Sequence, residues 1–232
     1  PDVPELSAEW AERLGKGVAL SEAEGLSLLR EYGLTVPRMA QIESANDLDK
    51  ALSEMTFPLV FKTAEDYAHK SDVGGVLVGL GDVEQCHAAY VDLNARLGPR
   101  VLAMEMAPKG NELALGAIWD ESFGPVVLVS AGGVFVELFD DKIASLAPFG
   151  VPQARQLLEK LRISALLKGA RGQPAVDLDA LAHQISRFSV LVASLGEAVS
   201  EIDVNPMLCS EKGVYAVDCL IVPRHRAGSD PV

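Results

Sequence analysis

Residues 201–222 constrain the fold more than any other stretch of this chain. Two runs, 201–208 and 214–222, flank the turn Ser210-Glu211-Lys212-Gly213 and read as a closing β-hairpin. In Glu201-Ile202-Asp203-Val204-Asn205-Pro206 the strand period of two puts Glu201, Asp203 and Asn205 on one face and turns Ile202 and Val204 toward a core. Folding the hairpin midway between Glu211 and Lys212 sets Asn205 opposite Asp218, with Cβ atoms about 4.5–5.5 Å apart, and Asp203 diagonal to Asp218 at about 7–8 Å. Two carboxylates and an amide oxygen are hard donors of the kind Mg²⁺ takes, with water and phosphate completing its shell. The solvated face of an edge hairpin carries the same pattern, and spacing alone favours that plainer reading. A bulge in either strand would break the register.

The segments before the hairpin fix the fold class. Residues 1–20 form an acidic, proline-bearing lead-in with room for a short helix. Ser21-Glu22-Ala23-Glu24 is a capping box that opens a helix carrying Leu26, Leu29 and Tyr32 and stopping at Gly33. Strands are expected at 35–42, 58–63 and 75–80. A helix starts at Ser44 and Asp47, and another at Asp82 and Gln85, running to about Leu97. Further strands are expected at 101–107, 112–119, 125–130 and 134–139. A helix over 177–195 has Asp177 as N-cap and Leu181, Ile185, Phe188, Val192 and Leu195 along one face. Short αβ alternation, then a meander, then helices, then a hairpin describe an α+β protein with two lobes rather than a doubly wound parallel sheet.

Composition narrows the function. The chain has 232 residues, 49% of them hydrophobic, enough for one large domain or two joined lobes with a real core. Its net charge of −13, from 33 acidic and 20 basic residues, comes with no basic stripe, which argues against nucleic acid as a partner. The three cysteines, Cys86, Cys209 and Cys219, form no CxxC pair, so neither a disulfide framework nor a zinc site is indicated, and a reducing cytoplasm is expected. The start shows no basic segment and no apolar run, so it does not read as a signal peptide. The richest apolar stretch, 123–139, is interrupted by Gly124, Pro125, Ser130, Gly132, Gly133 and Glu137 and is not expected to span a membrane.

Two common nucleotide signatures are missing. There is no GxxxxGK[ST], and Gly79-Leu80-Gly81 is followed by Glu84 where a dinucleotide fingerprint needs glycine. Other residues suggest phosphate chemistry. Lys62 closes the apolar run Leu59-Val60-Phe61 and would serve as a point charge in a cleft. It is followed by Ala68-His69-Lys70-Ser71-Asp72-Val73-Gly74-Gly75-Val76, in which Gly74 and Gly75 would let backbone N–H groups approach an anion. A surface lysine and a flexible loop would look alike, and His69 by itself reads as an exposed loop histidine. Glu105-Met106-Ala107, then Pro108-Lys109-Gly110 and Glu112, read as an interlobe linker that could meet a base and a ribose hydroxyl. Phe123-Gly124-Pro125 and Gly132-Gly133-Val134-Phe135-Val136-Glu137 suggest a glycine-turned hairpin, with tight-turn structure the favoured role for the glycines.

Taken together, Lys62, the 69–76 run, Phe123-Gly124-Pro125-Val126, the 132–137 run and the 201–206 run resemble the ATP-grasp domain of NDP-forming acyl-CoA synthetases. That group includes ADP-forming acetyl-CoA synthetase and, more distantly, the β subunit of succinyl-CoA synthetase. The match runs from about Leu20 to Val222 and shifts the hairpin from the solvated reading to a metal site. The resemblance implies two α+β lobes, roughly 21–110 and 111–225, with ATP between them, preceded by the lead-in and followed by a 226–232 tail. It implies Lys62 on the phosphates and Ser71 to Gly75, with Gly74, as the covering loop. Glu105 and Ala107 would frame the adenine, with Glu112 near the ribose. Asn205 and Asp218 would hold Mg²⁺, with Asp203 beside them to orient an incoming histidine. His69 matches a phosphate-accepting histidine in some ADP-forming acetyl-CoA synthetases.

The resemblance further implies a small carboxylic acid, CoA and a phosphohistidine segment on CoA-binding and ligase domains, or on an α-type subunit, that this sequence does not contain. Pro1 in place of a methionine, with the linker-like lead-in, favours the C-terminal piece of a fused chain. Two rivals stand beside this reading. One is another ATP-grasp carboxylate ligase. The other is a nucleotide-sensing, synthetase-like region of a protein acetyltransferase.

Overall fold

A computed structural model describes residues 1–67, 70–133, 141–170 and 174–224. The chain divides into two compact units, one formed by Pro37–Ala107 and the other by Pro1–Val36 together with Pro108–Val232.

The smaller unit is an antiparallel sheet covered by two helices. Its strands are β1 (Met39–Ile42), β2 (Leu59–Thr63), β3 (Val76–Leu80) and β4 (Val101–Glu105), in the order β1-β4-β2-β3. Two helices, α3 (Ala45–Glu54) and α4 (Val83–Leu97), begin at capping residues. The Ser44 hydroxyl accepts the Asp47 N–H, and the Asp82 carboxylate accepts the Gln85 N–H. Leu48, Leu52, Cys86, Tyr90 and Leu93 from the helices meet Ile42, Leu59, Phe61, Val101 and Ala103 from the sheet in one core. Phe61 faces this core, so strand alternation sends its neighbour Lys62 to the opposite face.

The larger unit is built on a six-stranded antiparallel sheet. Its strands are β5 (Asn111–Asp120), β6 (Gly124–Ala131), β7 (Lys142–Leu146), β8 (Val199–Ser210), β9 (Gly213–Ala216) and β10 (Leu220–Pro223). The order is β10-β8-β5-β6-β7, with β9 also paired to β8. Its helices are α1 (Ala8–Gly15), α2 (Glu22–Glu31), α5 (Val151–Lys160), the single-turn α6 (Ser164–Leu167) and α7 (Leu178–Leu195). Leu181, Ile185, Phe188, Val192 and Leu195 of α7 are all buried, as their spacing requires, and Asp177 caps this helix through the Ala180 N–H.

Several expectations are corrected here. Residues 21–36, assigned from sequence to the first lobe, cluster with 108–232. The reason is local. The Leu20 N–H donates to the Ile221 carbonyl of β10, and Gly25 of α2 lies so close to Cys219 that an added Cβ would sit 3.1 Å from its sulfur. The compact unit that holds Lys62 spans Pro37–Ala107. The long second hairpin strand is split into β9 and β10, and β7 adds a strand that hydrophobic alternation did not announce. The strand expected at 134–139 lies outside the described residues. Among the described residues no helix is long and apolar enough to cross a membrane.

Candidate functional site

In the larger unit the site forms around β8. Ile202 and Val204 are buried while Glu201 and Asn205 are exposed and Asp203 is half-buried, as the period of two demands. The predicted register holds on both flanks: Met207 pairs with Ala216 and Ser210 with Gly213 on β9, and Asp203 pairs with Leu220 on β10. Between them, residues 217–219 leave the ladder, and Asp218 sits in that gap. On the other side of β8 the β5 register shifts at the same level, since Leu113 faces Met207 but Leu115 faces Val204. Relative to β5, one extra β8 residue is accommodated at Asn205-Pro206, while β9 and β10 part from β8 there without a change of register. Bulges of this kind re-aim side chains and recur beside functional sites. The Val217 N–H donates across the gap to the Pro206 carbonyl at 3.3 Å.

Electrostatics mark the same place. Burial first, then the Glu201 and Asp218 carboxylates, push the Asp203 carboxyl above the usual carboxylate range, and a hydrogen bond with the Asn205 side chain pulls it back. The Glu201 and Asp218 carboxylates thus lie near enough to Asp203 to act on its charge. A hard divalent cation would relieve this repulsion, and Asp203, Asn205 and Asp218 supply the oxygen donors it takes. No group of three or more His, Cys, Asp or Glu side chains among the described residues is placed to hold a metal ion.

Glu112, on β5 of the same unit, is exposed, and its surroundings explain two glycines. A Cβ at Gly133 would lie 2.5 Å from the Glu112 carboxylate, and one at Gly132 would lie 2.8 Å from the Glu112 backbone. The Gly132 N–H also donates to the Glu112 carbonyl at 2.8 Å. Gly133, at φ of 59°, also serves its turn, whereas close approach to the Glu112 backbone accounts for Gly132. By contrast Gly124, with φ of 77°, does serve the β5–β6 turn, which the Asp120 carboxylate closes by accepting the Ser122 and Phe123 N–H groups. Glu137 lies outside the described residues.

In the smaller unit Lys62 is buried to 6% exposure in the middle strand, between Leu102 of β4 and Val76 of β3. Ser71 and Gly74 are exposed and Gly75 is buried in the turn that follows. The two glycine amides are engaged within the turn. The Gly74 N–H donates to the Ser71 carbonyl at 3.1 Å and the Gly75 N–H to the Lys70 carbonyl at 2.7 Å. Gly75 is required for space, since a Cβ there would come within 2.6 Å of the Thr63 methyl and 2.8 Å of the Lys70 oxygen. Glu105 ends β4 with both its polar ends engaged, its carboxylate accepting the Thr56 N–H at 2.8 Å and its own N–H donating to the Arg38 carbonyl at 2.8 Å. Ala107 is buried at the end of this unit. His69 lies outside the described residues. Lys62, Ser71, Gly74, Gly75, Glu105 and Ala107 therefore belong to one unit, and Glu112, Asp203, Asn205 and Asp218 to the other.

The family model described as an ATP-grasp domain matches residues 13–222, and the chain belongs to that family. Within the family it matches the ATP-grasp part of ADP-forming acyl-CoA ligases. It is 32% identical over 212 residues to the β subunit of acetate–CoA ligase (ADP-forming) I from Pyrococcus furiosus, covering 88% of this chain and 91% of that protein. It is 34% identical over 203 residues to 4-hydroxybutyrate–CoA ligase (ADP-forming) from Nitrosopumilus maritimus, covering 84% of this chain but 29% of that protein. The chain thus spans less than a third of the latter relative's length. Among solved structures it is similar to acetyl-coenzyme A synthetase 1 of Korarchaeum cryptofilum, at 33% identity and a TM-score of 0.81, covering 93% of this chain and 97% of that one. That structure was determined with coenzyme A and Mg-AMPPCP, its phosphohistidine segment pointing towards the nucleotide-binding site.

Proposed function

We propose that this chain binds ATP with Mg²⁺ and carries out the phosphoryl-transfer part of an NDP-forming acid–CoA ligation. It would act with CoA-binding and ligase domains, or an α-type subunit, that handle a small carboxylic acid and CoA. The observation that carries the reading is the convergence of Asp203, Asn205 and Asp218 where β8 bulges and its partner strand opens. Asn205 and Asp218 would hold the metal, whose charge would offset that of the phosphate oxygens. Asp203, whose carboxyl is already raised by burial and like charge, would orient an incoming imidazole.

On the smaller unit Lys62 would supply a point charge to the phosphates, and the Ser71–Gly75 turn would lie over them, with Ser71 as a hydroxyl donor. Glu105 and Ala107 would border the base. Glu112, on the larger unit, would accept from a ribose hydroxyl. His69 would take the γ-phosphoryl group, a nitrogen–phosphorus bond forming as the bond to the departing ADP oxygen breaks. The three buried, free thiols suit a reducing cytoplasm.

Calorimetric titration with ATP and with ADP, each with and without Mg²⁺, tests this reading. Mg²⁺-dependent binding is expected, and its abolition in Asp218→Ala with an unchanged circular dichroism spectrum ties it to the hairpin. Nucleotide affinity that Asp218→Ala leaves untouched would defeat the metal assignment.

A further inference from the structure

The turn after Lys62 is exposed from Ser71 to Gly74 and includes a glycine at φ of 64°, features that ordinarily give a loose loop. Here it is gripped from outside. Arg96, near the end of α4, donates from Nη1 to the Val73 carbonyl and from Nη2 to the Gly74 carbonyl, both at 3.1 Å. The guanidinium is itself aimed by Asp92 one turn earlier, through Nε to both carboxylate oxygens at 3.0 Å and through Nη2 at 2.6 Å.

The two peptide planes on either side of Gly74 are therefore held at both ends. Their carbonyls go to Arg96, and their N–H groups go to the Ser71 and Lys70 carbonyls. The Gly75 carbonyl continues the chain of fixed groups by accepting the Thr63 N–H at 2.7 Å, which ties the turn to the residue after Lys62. Sequence gives no sign of this arrangement, because an Asp–Arg pair four residues apart on an exposed helix ordinarily reads as a solvated ion pair worth little.

We infer that Arg96, aimed by Asp92, is a positioning residue that holds the Ser71–Gly75 turn in its nucleotide-receiving shape before nucleotide arrives. The inference rests on the proposal that this turn lies over the phosphates. Its physical content is preorganisation. A turn that is already ordered does not have to be ordered at the expense of binding energy, and apparent affinity falls with the fraction of molecules in the competent shape. Arginine is required because one planar fork reaches two carbonyls and a carboxylate together, which the single ammonium of lysine does not do.

The test compares wild type, Arg96→Ala, Arg96→Lys and Asp92→Asn. Amide exchange at Gly74 and Gly75 in the free protein reads the clasp without any nucleotide. Calorimetry with Mg·ADP reads its effect on binding, and steady-state kinetics of the complete enzyme separates KM for ATP from kcat. In Arg96→Ala, exchange at both glycines is expected to quicken by tenfold or more. The dissociation constant and KM are expected to rise roughly tenfold, from the loss of hydrogen bonds to a charged donor. The melting curve is expected to stay put and kcat to stay within about twofold. Arg96→Lys should fail to restore affinity, and Asp92→Asn should fall between wild type and Arg96→Ala.

Faster exchange with unchanged affinity would overturn the inference while leaving the ATP-binding proposal standing. Unchanged exchange would overturn it at the level of the clasp. Failure of wild type to bind Mg·ADP would defeat the functional proposal, and this inference with it.

Discussion

At the residue scale the chain shows how a few backbone approaches dictate composition. Gly75 is fixed by the Thr63 methyl and the Lys70 carbonyl, so Gly75→Ala is expected to cost about 1–3 kcal/mol through overpacking and to displace the turn beside Lys62. Chemical denaturation reads the cost, and the amide chemical shifts of residues 70–75 read the displacement. Gly110 is held more tightly still, its would-be Cβ running into the Cys209 carbonyl. Such constraints are hidden in a sequence, because a glycine required by a neighbour far along the chain looks the same as one required by its own turn. The alternation of Glu201, Asp203 and Asn205 with Ile202 and Val204 was legible for the opposite reason. It depends only on the two-residue period of a strand. His69→Ala, in turn, is expected to keep nucleotide affinity while slowing phosphoryl transfer in the complete enzyme. Full turnover by that variant would remove His69 from the mechanism.

At the scale of elements, local signals are legible in the sequence and departures from regularity are not. The capping box at Ser21 and Glu24 is present in full, the Ser21 N–H donating to the Glu24 carboxylate at 2.7 Å. Arg13 of α1 adds its own hydrogen bonds to Glu24, at 2.8 and 3.1 Å, and so fastens α1 to the start of α2. That Arg13 contact first, then the Ser21 groups, holds the Glu24 carboxyl below the usual glutamate range. A carboxyl lowered in the folded state stabilises fully above the unfolded value, near pH 4.5, and its contribution vanishes as pH falls through the lowered folded value. Acid titration of the melting temperature should therefore show a shallower fall below pH 4.5 in Glu24→Gln than in wild type. Ser21→Ala is expected to cost about 1 kcal/mol at neutral pH.

The hairpin teaches the complementary lesson. Its register was predictable from the turn, yet the opening at 217–219 and the bulge at Asn205-Pro206 were not, because they arise where β8 must satisfy two different neighbours at once. β7 escaped notice because its residues alternate between exposed and half-buried and none is fully buried, leaving too little hydrophobic contrast to register.

At the scale of the molecule, α+β character and two units follow from the order of periodic segments, but the path of the chain through them does not. Nothing in residues 21–36 announces that Leu26, Leu28 and Leu29 bury in a unit that the chain rejoins only at Pro108. Leu29→Ala is expected to cost about 2–5 kcal/mol, the range for a fully buried leucine. Hydrogen exchange should report the loss in β8 and α7 while β2 and β4 keep their protection. Equal loss in all four would show that the units do not unfold separately.

The larger unit's divided sequence also sets an order of events during synthesis. Helix α2 leaves the ribosome ahead of the smaller unit, but β10, whose Ile221 carbonyl receives the Leu20 N–H, is translated some two hundred residues later. The continuous span from Pro37 to Ala107 can condense while translation proceeds. The apolar side of α2 must wait for β10 until the whole intervening span has emerged. During that interval the nascent chain is a client for any chaperone that shields exposed leucines, and a premature stop ahead of Leu220 would leave those leucines permanently without their cover.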